Sequence, residues 1–159
     1  KKNIMASELR VDKIVPTDGV PTGGGGGIIQ IKQSSYNTHP SLSNTTMAAI
    51  SGWTVVMTPK FNTSKMLVTV NISVECRSSN IIGIELTRNG TAMFNNKGGF
   101  RGNNAHGGYC TFSYLDSPAT TSAVTYGVQT SCNTGNYVIN NYYGSGPCTS
   151  FLTVMEVSA

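Results

Sequence analysis

The chain has 159 residues, only 11% of them charged, and a formal net charge of +4. This length suits one domain, or one domain with a short arm, and the charged fraction lies far below the ~25% usual in soluble domains. The Lys and Arg residues are scattered, whereas a nucleic-acid surface needs several cations on one face. No stretch approaches the ~18 consecutive apolar residues of a membrane span. We therefore expect neither nucleic-acid binding nor membrane insertion.

Residues 1–27 differ in character from the rest of the chain. A short segment with an extended pattern is followed by the turn signal Pro16-Thr-Asp-Gly19. A run of glycines comes next, and such a run is not held in regular structure by its own propensities. The run consists of Gly23, Gly24, Gly25, Gly26 and Gly27. The sequence predicts an N-terminal arm and hinge over residues 1–27 and a body domain over residues 28–159.

The body shows the apolar alternation of β-strands throughout. In residues 66–76, apolar side chains occupy the even positions, which predicts one dry and one mostly wet face. Ile82–Leu86 repeats the pattern, and Asn89-Gly90 after it is the strongest short hairpin signal. The alternation returns at Phe112 and Tyr114, at Val124–Val128, and at Tyr137 and Ile139. Eight or nine such strands predict an antiparallel two-sheet β-sandwich of jelly-roll type, with at most one helical turn at Thr45–Ile50.

The last predicted strand, Phe151–Val157, is apolar on both faces. A strand with one face on its own core needs a second cover for its other face. An interface between subunits would supply that cover. The alternative is a central strand that lies under a loop.

The chain contains the cysteines Cys76, Cys110, Cys132 and Cys148. None belongs to a C-x-x-C pair, so no structural zinc site is expected. Cys76 continues an apolar alternation and is predicted to be a buried thiol. Cys132 and Cys148 flank an aromatic, glycine-rich segment and would pair across a hairpin in one interpretation, whereas assembly in a reducing cytoplasm would favour free thiols.

Three segments resemble tail-fibre and related virion proteins of tailed bacteriophages, including phages of cyanobacteria. They are Ser7–Ile14 with Gly19–Gly23, then Tyr114–Ala123, and Leu152–Ala159. The resemblance implies a homotrimeric fibre tip or spike whose arm docks to other virion proteins. The docking residues would be Leu9, Val11, Ile14, Val15 and Pro16. The chain departs from long fibres, because it has no repeated shaft sequence. The glycine run would let three chains converge, or would act as a flexible linker.

Two segments are candidates for binding a receptor or a partner. The first is the polar, glycine-rich stretch from Phe94 to Tyr109, predicted to be a loop, since loops held by a rigid sheet carry recognition. The second is the turn that follows Asn140. The residues are Phe94, Lys97, Phe100, Arg101, Asn104, His106 and Tyr109 in the first and Tyr142 and Tyr143 in the second. Both segments are also interpretable as solvated loops or contacts between subunits.

Catalytic patterns are weak. His106 and Asp116 with the many serines suggest a triad, but no Gly-x-Ser-x-Gly elbow occurs. Glu75 and Glu85 fall on adjacent predicted strands, opposite the buried residues, where a glycosidase pair would lie ~5–9 Å apart. We expect both to be solvated surface carboxylates. The sequence predicts no enzyme, no cofactor and no metal site.

The favoured hypothesis is a bacteriophage virion structural protein, a trimeric tail fibre or spike module that attaches to a host-surface glycan or protein. A head fibre, a capsid decoration or a baseplate component is the alternative within this class. A glycan-cleaving or lectin-like fibre domain is the alternative outside it.

Overall fold

The period-two alternation forms antiparallel strands throughout the described part of the chain. The computed structural model describes residues 27–78, 80–94, 98–102, 106–141 and 147–158. The strands are β1 (Ile28–Tyr36), β2 (Ser41–Leu42), β3 (Ala48–Met57), β4 (Lys65–Cys76), β5 (Asn80–Arg88), β6 (Thr91–Ala92), β7 (Gly98–Gly102), β8 (His106–Asp116), β9 (Val124–Cys132), β10 (Tyr137–Ile139) and β11 (Ser150–Val157). Within these ranges, no helix has the length and apolar character to cross a membrane.

Two sheets contain all of these strands. In the first sheet the order of the long strands is β1-β11-β4-β8. The short strand β10 pairs with the end of β4 that extends beyond β11, on the same edge of β4, and β2 pairs with β10. In the second sheet the order is β3-β9-β5, and β6 and β7 share the far edge of β5. The long strands therefore run β1-β11-β4-β8 and β3-β9-β5-β7. This arrangement confirms the predicted jelly-roll sandwich.

The core lies between the inner faces of the two sheets. The even-numbered residues Met66–Cys76 of β4 face Ile82, Ile84 and Leu86 of β5, and all of them are fully buried. At the β1 edge, the indole of Trp53 stacks on Tyr36 at 5.4 Å and donates a hydrogen bond to the Ser34 carbonyl at 3.3 Å. The buried Cys76 thiol belongs to this core, as predicted.

The β5–β6 turn has the geometry that the sequence predicts. Asn89 and Gly90 have φ of 50° and 80°, and Arg88 pairs with Thr91 across them. Two consecutive positive φ values are typical of a type I′ turn, whose twist matches that of the flanking strands.

The structure decides two points that the sequence left open, and one local expectation was wrong. Ala48–Ile50 begins strand β3 and makes no helical turn. Cys132 and Cys148 are both free thiols, and the Cys132 Sγ lies 3.4 Å from the Asn44 carbonyl. The stretch from Phe94 to Tyr109 is not one loop, because its described residues include β7 and the start of β8. Glycine removes the steric cost of close strand approach, so a glycine-rich stretch can form strands where neighbours crowd it.

Candidate functional site on the sandwich surface

An apolar band crosses the outer face of the first sheet. Ile31, Met155, Leu67 and Leu115 are direct cross-strand partners on β1, β11, β4 and β8. Directly paired residues lie on the same side of a sheet, so these side chains form one row. Ile28 and Val157 form the next row beside it. The band consists of Ile28, Ile31, Leu67, Leu115, Met155 and Val157.

The band is open to solvent in the single chain. Ile28, Ile31 and Leu115 are 61%, 57% and 55% exposed, and Phe151 on the same face is 37% exposed. Strand β11 lies centrally in its sheet, between β1 and β4. Its outward residues nevertheless keep part of their surface exposed. A central position in the sheet therefore does not cover the second apolar face of this strand.

Polar side chains beside the band already bond to one another. They form rows in the same register, on the side of the band away from Ile28 and Val157. The pairs are Gln33 with Thr153 at 2.9 Å, Thr69 with Ser113 at 2.7 Å, and Asn71 with Thr111 at 2.7 Å. A partner that covers this face would leave few of these groups unpaired, which removes a main cost of burying polar atoms.

Charge is nearly absent from the same face. Among the outward positions of β1, β4, β8 and β11, only Lys65 and Glu75 are charged. The Lys65 Nζ donates to Ser117 Oγ at 2.9 Å, and Glu75 is fully buried and paired with Arg77. At the Ile28 end of the band, the Ser158 amide donates to the Gly27 carbonyl at 3.0 Å. Residues 1–26 therefore join the domain beside the band.

The two phenylalanines of the first predicted binding segment point into the molecule. Phe94 stacks on Tyr114 at 5.3 Å and meets Phe112 edge-on at 6.1 Å. Phe100 packs on the core, and a Cβ on Gly108 would lie 3.0 Å from its ring. The glycines of this segment thus make room for an inward aromatic ring.

The remaining described members of that segment are exposed on different sheets. Arg101 is exposed on β7 of the second sheet, whereas His106 and Tyr109 are exposed on β8 of the first. A hydrogen bond with the Cys148 thiol raises the pKa of Tyr109. The structure therefore does not gather the predicted set at one place. Lys97, Asn104, Tyr142, Tyr143, the docking positions Leu9–Pro16 and Gly23–Gly26 lie outside the described residues, and the receptor role remains a prediction.

Glu75 and Glu85 are not solvated, contrary to expectation. Their exposed fractions are 0% and 5%. Glu75 lies against Gly107 of β8 and 3.1 Å from Arg77 Nε, whereas Glu85 accepts a hydrogen bond from Gln129. The two carboxylates belong to different sheets and to outward-facing positions, so they lie on opposite faces of the sandwich. They do not form the close pair that a glycosidase requires.

A polar cleft, which we call the Arg88 cleft, opens between the β5–β6 hairpin and the end of β8. Its volume is about 280 Å³, and it is lined by Arg88, Thr91, Ala92, Met93, Tyr114, Leu115, Asp116 and Ser117. At its base, Arg88 Nη1 contacts both oxygens of Asp116, at 2.9 and 3.2 Å. Burial and the hydrogen bond that its hydroxyl donates to Asp116 at 2.8 Å raise the pKa of Tyr126.

The sequence alone does not indicate this cleft, because its residues come from distant parts of the chain. Arg88 adjoins a turn and Asp116 ends a strand, and no local pattern relates them. Among the described residues, no group of three or more His, Cys, Asp or Glu side chains is placed to hold a metal ion.

Comparison with known proteins finds no family and only distant structural similarity. No family model matches the chain, and no curated protein matches it. Among solved structures, the chain is similar to a protein chain in T=1 particles derived from infectious bursal virus. The two are 8% identical, with a TM-score of 0.46 over 82% of this chain and 36% of that chain. Infectious bursal disease virus, Gx strain, gives the same identity and TM-score over 95% of this chain and 43% of that chain. The chain spans less than half the length of either protein.

Proposed function

We propose that this chain is a structural module of a virus particle that assembles with copies of itself. In this proposal it is a trimeric tail fibre or spike module, and its sandwich faces outward for attachment to a host surface. The main support for this proposal is the apolar band across four strands. The three segments that resemble virion proteins of tailed bacteriophages support the viral setting.

The size of the band is suited to the centre of a protein interface. The largest apolar patch of a typical monomer is about 300–600 Å² and is often functional. Three Ile or Leu side chains more than half exposed, with their partly exposed neighbours, bring the band to the order of that size. A stable interface needs about 800 Å² from each partner. The neighbouring rows of paired polar side chains would supply the remainder as a rim.

The weak charge of this face favours a second copy of the same chain as its partner. Identical surfaces brought together repel each other when they carry net charge. Here Lys65 is the one charged side chain with exposed surface among the outward positions of the four long strands, because Glu75 is fully buried and paired with Arg77. Self-association therefore brings little like-charge repulsion.

Residues 1–26 suit a role in attachment to the particle. They join the domain at Gly27, at one end of the band. Subunits that pack through their bands would bring their arms to the same end of the assembly. In the proposed fibre, this end faces the virion, and Leu9, Val11, Ile14, Val15 and Pro16 contact other virion proteins.

A lectin-like module is the second candidate function. The Arg88 cleft favours it, because the cleft combines a cation, a carboxylate, hydroxyl groups and an aromatic wall. Concave sites with a few convergent polar groups are typical of small-ligand binding. Leu115 belongs to the band and also lines the cleft, so the two functions are compatible when assembly leaves the mouth of the cleft open.

The assembly proposal is tested by the mass of the full chain in solution at micromolar concentration. We expect sedimentation equilibrium to give a trimer for the wild type. The double variant Ile31→Lys with Leu115→Lys should sediment as a monomer, because a buried interface does not tolerate unpaired charges.

The matched control places lysines on the other sheet. Val56 and Ile81 are 47% and 46% exposed, and both lie on the outer face of the second sheet. Val56→Lys with Ile81→Lys should leave the trimer intact. A monomeric wild type, or a trimer that persists in the Ile31 and Leu115 variant, contradicts assembly through the band.

A further inference from the structure

The Arg88 cleft has a rigid floor of fixed polarity. Asp116 is 7% exposed and accepts hydrogen bonds from both Arg88 and Tyr126. Both residues belong to strands of the second sheet, whereas Asp116 ends β8 of the first. The floor therefore links the two sheets, and the arginine side chain is held in place before any ligand arrives.

The ion pair uses only one end of the arginine fork. Its contacts with Asp116, and a long one of 3.5 Å with the Ser117 carbonyl, all come from Nη1. A guanidinium has five N–H donors, so the donors on Nε and Nη2 are not used by this pair. The Arg88 side chain is 41% exposed. An arginine edge of this kind binds a carboxylate through two parallel hydrogen bonds.

The charges at the cleft sum to one excess positive charge. Arg88 and Asp116 neutralise each other, and Lys65 Nζ donates to Ser117 Oγ at the rim, at 2.9 Å. A small anion is therefore favoured over a cation. The rim charge also predicts that binding weakens as salt screens it.

The walls suit a hydroxylated ring. Tyr114 lines the cleft, half-buried, and its ring is held by the stack on Phe94 with ring centroids 5.3 Å apart. Thr91 and Ser117 add hydroxyl groups. A cleft of about 280 Å³ lies just below the range of ~300–1,000 Å³ found for ligand sites. It has room for one sugar ring, with the rest of a chain outside.

We propose that the Arg88 cleft binds a carboxylate-bearing sugar unit of a surface polysaccharide. The carboxylate pairs with Arg88, the ring packs on Tyr114, and the hydroxyl groups bond to Thr91 and Ser117. The biological setting rests on the proposed attachment function, but the binding chemistry does not depend on assembly.

The test titrates the full chain with two acidic probes and their neutral counterparts. A glucuronate tetrasaccharide is compared with its carboxyl-reduced form, and 3′-sialyllactose is compared with lactose. Calorimetry or ligand-observed NMR should show saturable binding of at least one acid. The neutral counterpart should bind at least tenfold more weakly.

Variants locate the site. Ala92→Phe on β6 fills the cleft from an exposed position and should abolish binding. Ala49→Phe is the matched control, since Ala49 is exposed on β3 at the opposite edge of the second sheet. Arg88→Lys keeps the charge but loses the planar fork, and should weaken binding at least tenfold.

Three outcomes overturn the inference. They are no binding of either acid, equal binding of acid and neutral forms, and full binding by Ala92→Phe. Sedimentation of the same samples measures assembly independently of binding, so the two proposals can fail separately. Binding by a monomeric chain supports the inference while assembly fails, and a trimer that binds neither acid rejects the inference alone.

Discussion

At the scale of single residues, Asn140 closes one end of the first sheet. It is fully buried, and its side-chain Nδ2 donates to the carbonyls of Tyr36 and Thr38 at 2.6 and 3.0 Å. Its backbone N–H donates to the Ser73 carbonyl at 2.9 Å, and its side-chain oxygen accepts a hydrogen bond from the Ser150 hydroxyl. It has φ of 58°, a conformation that Asn tolerates better than most residues. One residue thus joins the ends of β1, β4 and β11.

We expect Asn140→Ala to lower the free energy of unfolding by ~3 kcal/mol, because it leaves several buried polar groups unpaired. Asn140→Gly loses the same side-chain bonds but adopts positive φ freely. It should cost about 1 kcal/mol less than Ala, since the left-handed conformation strains a Cβ by that amount. Urea denaturation of the two variants measures both values. Equal losses would show that the backbone conformation contributes nothing.

The Arg88–Asp116 pair, like the contacts of Asn140, joins residues that are distant along the chain. Each residue is unremarkable in its own segment, and the pair exists because β5 and β8 pack from different sheets. Phe94 and Phe100 show the converse. Their place in a glycine-rich segment indicated a solvated loop, yet both rings pack inward.

At the scale of elements, the β7–β8 pair shows why glycines are dense in this part of the chain. A Cβ on Gly108 would lie 3.0 Å from Phe100 Cε2, and one on Gly102 would lie 3.1 Å from Phe100 Cε1. β7 and β8 belong to different sheets, so the ring of Phe100 fills the space between them. The glycines define the shape of that space.

A double-mutant cycle tests this packing. Gly108→Ala should destabilise the chain by about 1–3 kcal/mol through overpacking. In a Phe100→Leu background the same change should cost at least 1 kcal/mol less, because contacting residues are energetically coupled. Thermal and chemical unfolding of the four proteins give the coupling energy. Additive losses of stability would show that the destabilisation by Gly108→Ala does not arise from contact with the Phe100 ring.

At the scale of the whole molecule, we expect the buried tyrosines to make the protein lose stability at alkaline pH. Desolvation by burial raises the pKa of Tyr126 and Tyr137, and the hydrogen bond to Asp116 raises that of Tyr126 further. In the unfolded chain a tyrosine loses its proton near pH 10. Above this pH the unfolded chain binds fewer protons than the folded one, so stability is present below pH 10 and falls as the pH rises. Desolvation raises the pKa of Cys76 as well, which acts in the same direction.

We expect Tyr126→Phe to make this alkaline loss less steep. Each such tyrosine contributes about 1.4 kcal/mol per pH unit above its unfolded pKa, and the variant should lose that share of the slope. Urea unfolding between pH 9 and 11, with phenolate absorbance as a second measure, tests this. An unchanged slope would mean that Tyr126 ionises in the folded protein as readily as in the unfolded chain.

The sequence by itself determined the features that depend on neighbours along the chain. Period-two alternation was enough to predict strands and a two-sheet sandwich, Asn89-Gly90 to predict a hairpin, and the apolar setting of Cys76 to predict its burial. It also indicated that β11 has a second apolar face. Register and packing between distant strands were decided only by the tertiary structure. That is how Ile31, Met155, Leu67 and Leu115 came into one row, and how Glu75 was covered by Gly107. The physical reason is that a local pattern sets which face of a strand is apolar, whereas long-range pairing sets what that face meets.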